Sequence, residues 1–125
     1  MVAEDDEEML SLLVATLEAR GFVVTQATSG VELLEHLADD DPFDLVVTDV
    51  SMPWGSGVQI MTSTRYAGML DVPVIVITAL QSPEIPAQVE RLGSHTALLH
   101  KPFAIETLQA AVDDALRDNP SIRPS

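Results

Sequence analysis

Short apolar runs alternate with segments of helical period along the whole chain. Residues 1–3 form an apolar stub that runs straight into acids, and residues 7–20 then carry Leu10, Leu13, Val14 and Leu17 at i, i+3, i+4 and i+7, with Gly21 as the stop. A strand is predicted over 22–27. Ser29-Gly30-Val31-Glu32 has the Ser-x-x-Glu spacing of a capping box and opens a helix to about residue 38, ahead of the acidic loop 39–42. The run 45–48 reads as a strand ending at Asp49, followed by a loop through Pro53, Gly55 and Gly57 and a helix over 58–67. Residues 72–78 are almost all β-branched, as a strand buried on both faces should be. Pro83 and Pro86 bracket a loop, a short helix ends near residue 92, and a strand at 97–100 leads to a last helix at 105–117, ended by Asn119-Pro120. Five βα units of this kind predict an α/β fold, a parallel sheet with helices on both faces.

The 125 residues suit one domain, expected to occupy 1–119 with 120–125 as a tail, and leave no room for a second folded unit. With 46% apolar and 21% charged residues the chain is globular in composition, and its core must be aliphatic because only five residues are aromatic: Phe22, Phe43, Trp54, Tyr66 and Phe103. Twenty acids against six bases give a net charge of −14. That balance opposes direct binding to nucleic acid or to an anionic membrane, both of which require neutralising Lys and Arg. No cysteine is present, which excludes disulfides, thiolate metal sites and thiol nucleophiles. His36, His95 and His100 form no ligand-spaced pair. The start has no basic n-region or apolar h-region, and no apolar run is of membrane-spanning length, so a soluble cytoplasmic protein is expected.

In an open α/β sheet, ligands bind beyond the carboxyl ends of the strands. The residues at those ends are Glu4 and Asp5 after the first strand, Asp49 after the third, Thr78 after the fourth and Lys101 after the fifth. Three carboxylates, a hydroxyl and an ammonium would therefore meet on one rim, and Lys101 is the sole lysine in the chain. Carboxylates brought together repel unless a cation joins them, and an all-oxygen site with open positions suits Mg²⁺. Each element has a plainer use by itself. Residues 4–8 can be a solvated helix start favoured by the macrodipole, Asp49 a turn aspartate, Thr78 the end of a β-branched strand and Lys101-Pro102 a turn. Their order at successive strand ends is what carries the chemistry.

Glu4-Asp5, the run Asp49-Val50-Ser51-Met52-Pro53 with Gly57 following, Thr78-Ala79 and Lys101-Pro102-Phe103 together resemble the receiver domain of two-component response regulators. The resemblance covers essentially the whole chain. It implies a doubly wound, flavodoxin-like (βα)5 three-layer sandwich with parallel strand order 2-1-3-4-5. It also implies that Asp49 accepts a phosphoryl group from the phosphohistidine of a sensor histidine kinase or a phosphotransfer protein. In that scheme Asp5 and Asp49 ligate Mg²⁺ directly, Glu4 does so through water and Ser51 through its backbone carbonyl, while Thr78 and Lys101 bind the phosphoryl oxygens. Such a domain acts on its own aspartate and turns over no external substrate. Its output domain or target is not written in the sequence, and a homodimer stays open.

Two other readings share this fold. A phosphohydrolase with an aspartate nucleophile would carry a second aspartate two residues on, where Ser51 stands, and a cap insertion for which the loops are too short. A pseudo-receiver that only binds partners would lack key positions, and here all five are filled. One departure from the family pattern is Leu98, which stands three residues before the lysine where Tyr or Phe is usual. Met9, Met61 and Met69 read as packing residues, and Trp54 as either a loop cover near Asp49 or a partner contact.

Overall fold

The computed structural model describes residues 1–37, 44–49, 51–52, 55–56, 73–79 and 96–118. The elements are β1 (Val2–Ala3), α1 (Glu7–Glu18), β2 (Gln26–Ala27), α2 (Gly30–Leu37), β3 (Val46–Asp49), β4 (Ser51–Met52), β5 (Gly55–Ser56), β6 (Val74–Thr78), β7 (Thr96–His100) and α3 (Ile105–Asp118). Five strands form a parallel sheet in the order β2-β1-β3-β6-β7. Numbered as sheet strands, this is the expected 2-1-3-4-5. The predicted helices at 58–67 and before residue 92, the loops at 39–42 and 83–86, Trp54, Met61, Met69, His95 and the tail at 120–125 lie outside the described residues.

One face of the sheet holds the principal core. Leu10, Leu13 and Leu17 of α1 and Leu108, Ala111 and Val112 of α3 pack onto Val2, Val47, Ile75 and Ile77, joined by Leu45. The helical 3–4 spacing and the strand alternation select the same layer. Each fully buried aliphatic side chain there contributes about 1.5–3 kcal/mol relative to exposure. The alternate residues Val46, Thr48, Val74, Val76 and Thr78 are buried as well, so the central strands are covered on both faces. An Arg20–Asp113 ion pair ties α1 to α3 at the edge of the core.

Side chains and a glycine fix the helix ends. Asp6 caps α1, its carboxylate accepting from the amides of Glu8 (3.0 Å) and Met9 (3.4 Å). Gly21, at φ 91°, lets the Phe22 and Gly21 amides return to the carbonyls of Leu17 and Glu18 and close the helix end. Half of the expected capping box forms: Ser29 Oγ accepts from the Glu32 amide, but the Glu32 carboxylate takes the Thr28 hydroxyl at 2.6 Å instead of the Ser29 amide.

Two expectations change. The second strand, expected over 22–27, pairs only at Gln26 and Ala27, and Val23 is 97% exposed. The register sets Gln26 and Ala27 beside Val2 and Ala3, and Phe22 and Val24 pack against the core without joining the ladder. The loop after Asp49 contains an unexpected antiparallel pair, with Ser51 opposite Ser56 and Met52 opposite Gly55.

Candidate functional site

The parallel register brings every strand-end residue to one edge. Val2 lies beside Val47 and Ala3 beside Thr48, so Glu4 follows β1 level with Asp49 at the end of β3. Asp49 pairs with Ile77, which places Thr78 one residue further along β6, and Thr78 pairs with His100. The Lys101 amide then donates to the Thr78 carbonyl at 2.7 Å, pinning the lysine at the rim. Leu98, the departure from the family pattern, sits half-buried in β7 opposite Val76.

Glu4 is fully buried, Asp49 nearly so, and Asp5 is exposed. Each of the three offers a carboxylate oxygen, and these oxygens all lie within 4.8 Å of one another. Lys101, whose side chain is 18% exposed, bonds two of them: its Nζ donates to Asp49 Oδ2 at 2.9 Å and to Glu4 Oε1 and Oε2 at 3.1 and 3.2 Å. Glu4 Oε1 also accepts the Asp6 amide at 3.2 Å. Thr78 is fully buried, and Ser51 opens β4 two residues after Asp49.

The electrostatics follow from burial and crowding. Burial, then the hydrogen bond and charge of Asp49, push the Glu4 carboxyl up to about 7 against the opposing pull of Lys101. For Lys101, burial lowers the ammonium, yet its bonds to Asp49 and Glu4 and their charges together outweigh it and hold the group above the ordinary lysine value. The Met1 amine, buried and donating to the Leu45 carbonyl at 2.8 Å, is lowered to about 6 by desolvation, against the charge of Asp44. Hard carboxylate oxygens clustered at this spacing, one of them open to solvent, fit a small divalent cation such as Mg²⁺.

The structure therefore brings together Glu4, Asp5, Asp49 and Lys101, and places Thr78 at the adjoining strand end. Unforeseen from the sequence was the bond between Lys101 and Glu4, residues 97 positions apart. Asp6 had no assigned role within the acidic run. Its position just before the helical period was the available signal for a cap.

A parallel 2-1-3-4-5 sheet defines a flavodoxin-like domain, and its acidic cluster and lysine lie at the carboxyl edge of the strands. The chain belongs to the response regulator receiver domain family, which it matches over residues 1–113. This is the phosphorylation-switch class of two-component signalling, a class of signalling domains and not of classical enzymes. Among similar proteins are the response regulator MprA of Mycobacterium ulcerans, 36% identical over 118 residues, and the transcriptional regulatory protein PrrA of Mycobacterium tuberculosis, 35% over 117. Each alignment covers 94% of this chain and 49% of the relative, so the chain spans about half the length of these relatives. Among solved structures, the Francisella response regulator 1452 receiver domain superposes with a TM-score of 0.79 at 28% identity, covering 94% of both chains. The chemotaxis response regulator CheY4 of Vibrio cholerae gives 0.79 at 28%, covering 92% of this chain and 95% of its own. No helix among the described residues is long and apolar enough to cross a membrane.

Proposed function

We propose that Asp49 is the phosphoacceptor of this receiver domain. The observation that carries the reading is the double engagement of Lys101, whose ammonium touches Asp49 and Glu4 together inside a three-carboxylate cluster. Asp49 is short and held at a strand end, so its carboxylate can serve as nucleophile and metal ligand at once. Its oxygen attacks the phosphorus of a phosphohistidine; the O–P bond forms, the P–N bond breaks, and the electron pair remains on the donor's imidazole nitrogen. Negative charge then spreads over three equatorial oxygens, and positioning plus charge stabilisation supply most of the acceleration.

Glu4, Asp5, Asp49 and the Ser51 carbonyl would hold Mg²⁺, which when bound offsets the charge on the phosphoryl oxygens. Lys101 supplies the second positive charge, and the Thr78 hydroxyl a hydrogen bond to a phosphoryl oxygen. The domain catalyses its own phosphorylation and dephosphorylation only. The donor is a sensor histidine kinase or a phosphotransfer protein in the cytoplasm, and the phosphorylated surface is read by an output domain or a separate target. With a net charge of −14, this domain is a poor direct ligand for a phosphate backbone; any contact with DNA belongs to a partner or to another part of a longer regulator. Intact mass after incubation with acetyl phosphate and Mg²⁺ tests the reading: one added phosphoryl group supports it, and an unmodified mass under conditions that label another receiver domain rejects it.

A further inference from the structure

β2 is an outer strand of the sheet, with β1 as its sole neighbour. The amides of Val2 and Glu4 donate to the carbonyls of Thr25 at 2.8 Å and Ala27 at 2.9 Å, and backbone groups alternate in direction along a strand. The N–H and C=O groups of Val24 and Gln26 therefore point away from β1, and they bond nothing among the described residues. The side chains alternate in the same way. Phe22 and Val24 pack against the core, while Val23 faces the other side of the sheet and is 97% exposed. An open edge is ordinarily guarded by a lysine, a proline or another charge. Residues 19–31 hold no acid, lysine or proline, and Arg20, their one charged residue, is paired with Asp113. In a chain of net charge −14, two copies of this edge meet with no carboxylate in either strand.

We propose that the outer edge of β2, residues 22–27, joins a second copy of this chain by antiparallel strand pairing about Thr25. A twofold interface presents the same groups from both sides, and this edge is complementary to itself. With Thr25 opposite Thr25 of the second copy, Val24 faces Gln26 and Gln26 faces Val24, each pair exchanging both of its N–H···O=C bonds. Val23 then lies beside Ala27 of the second copy, toward the first turn of its α2, where Val31 is 48% exposed. Two of the three large hydrophobic side chains exposed among the described residues, Val23 and Val31, thus come to one seam. An extended peptide of another protein would meet the same backbone groups but no charge that selects it. The two sheets become one, and their carboxyl edges point in opposite directions, so both acidic clusters stay open. A contact confined to one strand edge is small, which makes the association transient.

Sedimentation equilibrium of the chain at concentrations up to about 1 mM, the weak end of measurable association, tests this. Val23→Lys and Gln26→Pro are the variants, with thermal melts showing that each is folded, and Val23→Lys decides by itself if the proline variant is not. The expected result is a reversible dimer in which the amides of Val24 and Gln26 gain protection from hydrogen exchange as concentration rises. Gln26→Pro removes one donor from each copy and should weaken the dimer at least about fivefold; an edge tolerates the proline because that N–H serves no bond within the chain. Val23→Lys puts a guard charge on a side chain open to solvent in the monomer, and should weaken the dimer as well. A monomer throughout leaves the edge to some other extended partner and overturns the proposal. So does a dimer indifferent to the variants, or one whose protected amides lie elsewhere; none of these results bears on Asp49 as phosphoacceptor.

Discussion

Lys101 Nζ lies 2.9 Å from Asp49 Oδ2, a contact between residues 52 positions apart that joins the ends of two strands separated by β6. It holds the chain's sole lysine over a nearly buried carboxylate, and the consequences of that arrangement are measurable.

Phosphorylation is expected on Asp49 alone, since among the described residues it is the carboxylate that ends the strand beside the one closed by Thr78 and also bonds Lys101. Asp49→Asn removes the anionic nucleophile with little change in shape, so the single phosphoryl mass gained from acetyl phosphate should disappear. A phosphopeptide containing Asp5 or Asp6 would refute the assignment.

Magnesium should stabilise the fold, because it relieves repulsion among Glu4, Asp5 and Asp49. At a hundredfold excess over Kd the gain is about 2.7 kcal/mol, on the order of 10 °C in Tm for a domain of this size. Asp5→Asn should abolish most of the shift, and should raise the metal-free Tm by removing one of three neighbouring charges. Melting curves that ignore Mg²⁺ in the wild-type protein would exclude the site.

In metal-free protein, stability should fall as pH rises from 4.5 toward 7. The Glu4 carboxyl has its folded pKa raised to about 7 from 4.5, so within this window the folded state binds more protons than the unfolded one. The contribution is fully present below pH 4.5, is lost by the time pH passes 7, and is on the order of 3 kcal/mol. The Met1 amine acts in the opposite sense between about 6 and 8, its folded pKa being lowered, so the Glu4 slope is read most directly from 4.5 to 6. Urea unfolding in the presence of a chelator measures it. Glu4→Gln should flatten that part of the profile, and an unchanged slope in the variant would assign the effect elsewhere.

Lys101→Ala should fold, because the lysine offsets charge at the rim and takes no part in the aliphatic core. It should nevertheless separate phosphorylation from any change at the surface, since Thr78 alone remains to draw on the phosphoryl oxygens. Amide chemical shifts of the variant with and without beryllofluoride report this; a wild-type pattern of shifts would remove Lys101 from the switch.

What the sequence determined by itself is the set of properties that depend on neighbours along the chain. The leucine spacing of α1, the glycine stop at Gly21, the β-branched run ending at Thr78 and the acids following a strand stub are local patterns, and local patterns read directly as helix, stop, strand and strand end. Because ligands gather at strand ends in such sheets, Glu4, Asp5, Asp49, Thr78 and Lys101 were legible as candidates, and the family resemblance supplied their roles. Tertiary structure decided everything that depends on which strands lie side by side. The order β2-β1-β3-β6-β7 sets Glu4 and Asp49 on adjacent strand ends and brings Lys101 across to both. Burial of Glu4, and hence its raised pKa, follows from that closure, because desolvation exists only once the sheet and its helices have excluded water. The same dependence set the extent of the second strand: the apolar run 22–24 reads as strand by itself, but pairing is decided by register, which aligns Gln26 and Ala27 with Val2 and Ala3.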